Sequence, residues 1–423
     1  MSVTISACMI VRDEIDCIEA CIDSIAPWVD EVVVVDTGST DGTWEWVKMR
    51  AHKSAQIEWP EHFGQARNAS LELATGDWIL VVDADERLVK GGATLRSAVA
   101  RDNLLAAEIR LVNDLGGGAT GEFWAVRLFR RDPRIRYTGR IHEQVAGGVR
   151  QVMLEEARWQ TGRVDLTFAH DGYLPDQFEK KGKAERNVRL LEMALGELSE
   201  TAPLHQRVYL EYKLSTALGA GPQGQALLGR CAHRLLDANQ ETLSQVPLAA
   251  EILVSASQLW CRTGSGDVAL RAALTAARRA PGHPMVALVE AQAHLLLGNT
   301  SDAADALARA EEVSVGGFYF DVQGHAAAVA VAKAELAHRS GADRDAIAHL
   351  SRAIEADPEH EGLALARVHS LVRAGEPEDA LRQGVGFLKA HPGHRGGLLA
   401  CAAAAEALGM HDRANRWRGM ALG

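Results

Sequence analysis

Between residue 1 and about residue 112, short apolar runs alternate with amphipathic segments, and that alternation restricts the fold more than any other feature of the chain. "VTISACMIV" (3–11) reads as a strand, and "DEIDCIEACIDSI" (13–25) as a helix with Ile15, Ile18, Ile22 and Ile25 on one face. "DEVVVVD" (30–36) is strand, "GTWEWVKMRAHK" (42–53) helix and "AQIEW" (55–59) strand; "GQARNASLELAT" (64–75) is helix and "DWILVVD" (77–83) strand. Strands alternating with helices imply βαβ units, hence an α/β domain with a mainly parallel sheet. In such sheets ligands bind at the carboxyl ends of the strands, and Asp36 and Asp83 both stand at such ends.

The alternation stops near residue 113. "GEFWAVRLFRRDPRIRYTGRIHEQV" (121–145) mixes aromatics, arginines and turn residues, as strands and loops finishing a sheet edge and roofing a site would. A helical pattern starts near Pro175 and runs to the end. Within it "DAIAHLSRAIEADPEH" (345–360) and "DALRQGVGFLKAHPGH" (379–394) match at a 34-residue offset, with Gly375 and Gly409 at the same offset. "GDVALRAALTAARRAPGH" (266–283), "SDAADALARAEE" (301–312) and "HDRANRW" (411–417) read as further copies. A 34-residue helix–turn–helix period with small contact residues and a late proline resembles the tetratricopeptide repeat. Such solenoids present concave surfaces for peptides or proteins, and others serve as homodimerisation devices. At 423 residues the chain is too long for one core. The expected division is 1–175 for the α/β domain, 176–260 for a helical linker with degenerate repeats, and 261–423 for the repeat domain.

Charge and cysteine content narrow the function classes. A formal charge of −11 argues against nucleic acid as a partner, whose binders carry a basic face. The six cysteines, at 8, 17, 21, 231, 261 and 401, fit neither a zinc spacing nor a disulfide framework, and Cys17 and Cys21 read as packing groups on the first helix. With no run of 18 apolar residues and no basic region before the first strand, neither a membrane span nor a signal peptide is expected, and the expected location is cytoplasmic.

The chemistry concentrates in "VVDADERL" (81–88), where a strand empties into two carboxylates one residue apart. Like charges so placed repel unless a cation lies between them; the competing reading is that one of them caps a helix beginning near Gly91. With "CMIVRDE" (8–14), "VVVDTGSTDGT" (33–43), "FGQARNASLELATGDWILVVDADE" (63–86) and "RIHEQV" (140–145) in this order, residues 1–175 resemble family 2 glycosyltransferases of the GT-A fold. Members fused to tetratricopeptide repeats, among them peptide S-glycosyltransferases, are the most similar in organisation.

The resemblance implies a metal-dependent, inverting transfer of a sugar from a nucleoside diphosphate donor, a UDP-sugar first among them. Mn²⁺ or Mg²⁺ held by carboxylates would neutralise the departing diphosphate. By likeness Asp85 is the metal ligand, with Asp83 at the ribose or reaching the metal through water, and His170 is an additional ligand. Val11, Asp36, Thr37, Arg67, Asp83 and Ala84 would line the nucleotide site. An acceptor base is needed, and Glu143 is the first candidate, with His142 and His170 as alternatives. Arg127, Arg130, Arg136 and Arg140 are candidates for gripping the diphosphate. A peptide or protein side chain suits the repeats as acceptor; a saccharide or lipid-linked glycan is the alternative. A nucleotidyltransferase would carry a Gly-rich, basic phosphate loop where this chain has "MIVRDE", and a non-enzymatic repeat scaffold would not need this set of intact polar residues.

Overall fold

A computed structural model describes residues 3–116, 119–170, 182–311 and 324–422. It divides into two compact units, residues 1–201 and 202–423. The boundary falls after Thr201 rather than near 175, because the helix Lys183–Gly196 belongs with the α/β unit.

The first unit is built on an eight-stranded mixed sheet. Its strands are β1 (Ile5–Val11), β2 (Glu31–Asp36), β3 (Lys53–Gln56), β4 (Trp78–Val81), β5 (Glu86–Lys90), β6 (Leu104–Gly116), β7 (Ala119–Arg130) and β8 (Gln160–His170), in the order β3-β2-β1-β4-β7-β6-β8-β5. The β3-β2-β1-β4 half is wholly parallel, as the sequence implies; β7 joins β4 antiparallel and hairpins onto β6, and β6–β8 is parallel again. The "VVVV" run of β2 is buried on both faces, which parallel strands covered by helices require. Helices α1 (Ile18–Ile25), α2 (Thr43–Arg50) and α4 (Gly92–Val99) place Ile18, Ile22, Val47 and Leu95 in one core cluster. Helices α3 (Phe63–Leu73) and α5 (Ala146–Glu155) place Leu71, Val149 and Val152 in a second cluster with Ile79 and Phe129.

Three local readings are corrected. The first helix starts at Ile18, not near residue 13, because the backbone amides of Asp13 and Ile15 are bound by Ser39 and Asp41 of the β2–α2 loop and that of Glu14 by Thr43, the first residue of α2. "ERLVK" forms the edge strand β5, pairing with β8, so neither Asp83 nor Asp85 caps a helix; α4 begins after Gly91. Residues 146–155 form α5 in the region after residue 113, where the sequence pattern shows no helical alternation. Its Gly148 lies so close to the Arg134–Ile135 backbone that a Cβ there would sit 2.4 Å from the Arg134 carbonyl oxygen.

The second unit is helical throughout its described residues. Helices starting at Asp343, Pro377 and His411 follow one another at the 34-residue period, and Ala346, Ala380 and Ala414 at the equivalent contact position are fully buried. Gly341, Gly375 and Gly409 adopt positive φ (+74°, +77°, +73°) at the bends, where a Cβ would be strained. Its apolar side chains form consecutive small clusters rather than one core, as a nearest-neighbour solenoid does. Among the described residues no helix is long and apolar enough to cross a membrane.

Candidate active site

β1, β2 and β4 run parallel and end side by side, Val11 opposite Asp36, and the loops beyond them bound a cavity of about 640 Å³. Its wall includes Val11, Thr37, Arg67, Asp83, Ala84, Asp85 and His170. Seven of the sequence-derived site residues therefore meet in one place. Asp36 lies just beneath, fully buried, and its Oδ1 accepts from the Gly38 and Ser39 amides (2.9 and 3.0 Å) and from Gln56 Nε2 (3.0 Å). Burial opposes its ionisation, but these donors outweigh it and hold its pKa below the ordinary carboxylate value. Its Oδ2 is buried without a partner, an acceptor that the fold leaves unsatisfied.

The two aspartates of "DAD" face different surroundings. Asp83 is gripped by two guanidiniums, Arg67 Nη2 on Oδ1 and Arg127 Nη2 on Oδ2, both at 2.8 Å. Burial alone would raise its pKa, but Arg127 and Arg67 hold the carboxyl well below the usual range. Asp85 instead meets His170, Oδ2 to Nε2 at 3.1 Å, and the other ring nitrogen of His170 lies 3.0 Å from Asn113 Oδ1. Burial lowers the His170 pKa, yet the hydrogen bond and charge of Asp85, with Glu86 and Asp83 nearby, raise it overall. Among the described residues no three His, Cys, Asp or Glu side chains form a complete metal cage. Asp85 supplies a hard oxygen donor and His170 a borderline nitrogen donor, with Asn113 fixing the imidazole from behind; that partial set fits an ion completed by phosphate oxygens and water.

Glu86 went unnoticed in the sequence, although it is the last residue of "DADE". It is buried; its Oε2 accepts the Asp83 amide (2.9 Å) and its Oε1 accepts from Arg127 (3.3 Å). Burial pushes its pKa up to about 7 against the pull of Arg127. Cys21 on α1 donates its thiol to the Asp83 carbonyl (3.3 Å), so it packs against this turn.

The "IHE" loop is fastened to the start of α3. A two-way backbone pair between Thr138 and Gln144 (3.0 Å each) closes it, and the Arg140 and Gly139 carbonyls accept the Phe63 and Gly64 amides. Gly64 makes that approach possible, since a Cβ there would lie 2.7 Å from the Gly139 oxygen. The docking sets Glu143 Oε1 2.5 Å from Arg67 Nε, leaving Oε2 for a second partner. His142 is exposed, in a left-handed conformation (φ 54°), and neither it nor Glu143 lines the cavity. The arginine group splits: only Arg127 reaches the site. Arg130 packs between Trp78 and Trp159, Arg136 binds the carbonyls of Asp132 and Ile135, and Arg140 pairs with Glu197 and the Glu61 carbonyl. Arg12, Lys183, Arg186 and Arg189 line the cavity instead.

Parts of this chain are similar to known proteins. A "TPR repeat-containing protein" of Synechococcus elongatus is 37% identical over 202 residues, 47% of this chain and 50% of its own length. "SPbeta prophage-derived glycosyltransferase SunS" of Bacillus subtilis is 28% identical over 197 residues, 45% of each chain. The chain thus spans about half the length of the curated relatives it matches. A solved tetratricopeptide repeat protein from Parabacteroides merdae covers 59% of this chain and 96% of its own, at 15% identity and a TM-score of 0.43. The profile of Glycosyl transferase family 2 matches residues 6–101, which hold β1 to β5 and the "DAD" turn; the N-terminal region of this chain thus carries a match to family 2 glycosyltransferases, and helices at a 34-residue period follow it.

Proposed function

We propose that the chain is an inverting, metal-dependent glycosyltransferase that moves a sugar from a UDP-sugar onto a peptide or protein side chain recruited by the repeat unit. The observation that carries this reading is the pairing of Asp85 with His170 beside an arginine-clamped Asp83, at the mouth of the parallel strand ends. The buried, unpartnered Oδ2 of Asp36 suits the imide N–H of a uracil ring, with Val11 and Thr37 along the base. Arg67 and Arg127 fix Asp83 for the ribose hydroxyls. Asp85 and His170 would hold Mn²⁺ or Mg²⁺, which when bound supplies positive charge to the leaving diphosphate. Glu143, oriented through Oε1 by Arg67, takes the acceptor proton on Oε2. A saccharide acceptor remains the second reading for the same donor chemistry, and a homodimer through the repeats is part of the first.

Asp85→Ala is expected to reduce donor turnover by at least about 100-fold while the circular dichroism spectrum is unchanged. Chelation with EDTA should abolish wild-type turnover and Mn²⁺ should restore it. Full turnover in EDTA, measured by UDP release from a panel of UDP-sugars, would overturn the metal assignment.

A further inference from the structure

We propose that Arg186 is a binding residue for the diphosphate of the donor, taking the place that the sequence suggested for the 127–140 arginines; this rests on the nucleoside diphosphate reading above. Arg186 lies on the helix Lys183–Gly196 and lines the same cavity as Asp83, Asp85 and His170. Its side chain forms no ion pair or hydrogen bond with any described residue, and its Nε is buried without a partner. Its guanidinium rests over the Phe63 ring, 5.1 Å from the centroid, and Phe63 in turn meets Trp59 edge-on at 4.8 Å. Both rings line the cavity, so the aromatic pair holds the cation in the wall. The other cavity arginines differ: Arg12 has Asp13 at 4.0 Å, Arg67 is matched by Asp83 and Glu143, and Arg189 by Glu61 at 2.5 Å.

A half-buried cation without a counter-charge costs free energy unless an anion arrives to pair with it. Burial and the neighbouring charge of Arg12 both disfavour the charged form of Arg186, with only Glu14 opposing them. The position is thus electrostatically unfinished, and a diphosphate completes it. A planar guanidinium pre-set on an aromatic face is suited to two phosphate oxygens, which a lysine ammonium is not.

The test is calorimetric titration of the full chain with UDP, GDP, ADP and dTDP, then with the nucleoside of whichever diphosphate binds. In Arg186→Ala the diphosphate should bind about 10- to 50-fold more weakly, the nucleoside should bind as in wild type, and Arg186→Lys should recover only part of the loss. The thermal midpoint of unliganded Arg186→Ala should equal or exceed that of wild type, because an uncompensated cation has been removed. Equal diphosphate affinity in wild type and Arg186→Ala would overturn this assignment while leaving the donor reading intact. Wild-type protein that binds none of the four diphosphates would overturn the donor reading itself, and this assignment with it.

Discussion

At the scale of single residues, the site is a chain of matched charges that leaves a few buried polar atoms unsatisfied. Arg67 bridges Asp83 and Glu143, and Arg127 bridges Asp83 and Glu86, so two guanidiniums serve three carboxylates, and burial raises the pKa of the third, Glu86. Four buried polar atoms there are left without a partner among the described residues: the Oδ2 acceptor of Asp36 and the donors Arg67 Nη1, Arg127 Nη1 and Arg186 Nε, of which only Arg186 Nε belongs to a cation with no carboxylate on it. Glu143 can act in two ways, as proton acceptor or as the anchor of Arg67, and one substitution separates them. Glu143→Gln keeps an oxygen for Arg67 Nε and loses the charge. As the base, it should lower kcat by about 100- to 1000-fold with the donor KM within about threefold of wild type. If its role is only to hold Arg67, KM will move and kcat will stay near the wild-type value. Steady-state kinetics with saturating acceptor reads the difference.

At the scale of elements, the parallel half of the sheet and its strand-end carboxylates were legible, because continuous apolar runs and 3.6-residue periods are set locally. What was not legible depended on distant partners. β5 is an edge strand of "ERLVK" with no apolar alternation, and it exists because β8 offers its backbone. α5 contains two adjacent glycines, poor helix formers, one of which is required by the Arg134–Ile135 backbone. Arg186 could not be told from any other helix-surface arginine until its helix was seen against Phe63. In the repeats, the histidine that closes "PGH" and "PEH" proved to be an N-cap. Nδ1 of His283, His360 and His394 accepts the amides of Met285, Leu363 and Gly397 (3.2, 3.3 and 3.1 Å). A protonated ring cannot accept, so the cap exists only while the ring is neutral. Burial, and then the proximity of His325, lowers the His283 pKa below its ordinary value. Its folded-state preference is therefore for the neutral ring: the stabilisation is complete above pH about 6.5 and is lost as pH falls through the depressed folded value. His283→Asn retains a side-chain acceptor that does not titrate. Its loss of melting temperature between pH 7.5 and pH 5 should be smaller than that of wild type by about 2 °C. Equal loss in both proteins, followed at the helical dichroism band, would remove His283 from the pH response.

At the scale of the whole molecule, the candidate site and the repeats belong to separate compact units. The residues that line the cavity run from Ile10 to Arg189, and the clusters that support them draw on residues 5–168, all inside the first unit. The clusters of the second unit begin at Val208 and succeed one another along the repeats. A unit with its own core and its whole candidate site should fold and handle the donor without the other. A fragment of residues 1–201 is therefore expected to bind UDP and hydrolyse the donor sugar within about threefold of the full chain. A repeat unit that recruits the acceptor raises its effective concentration at the sugar, an advantage of the order of 100-fold or more that the fragment forgoes. Acceptor glycosylation by the fragment, followed by intact-mass analysis of candidate peptides, should fall by at least that factor. Adding residues 202–423 as a separate chain should not restore it, since the linkage is what confers the advantage. A fragment that loses donor hydrolysis and acceptor transfer in equal measure would assign the repeats to stabilising the catalytic unit instead of feeding it.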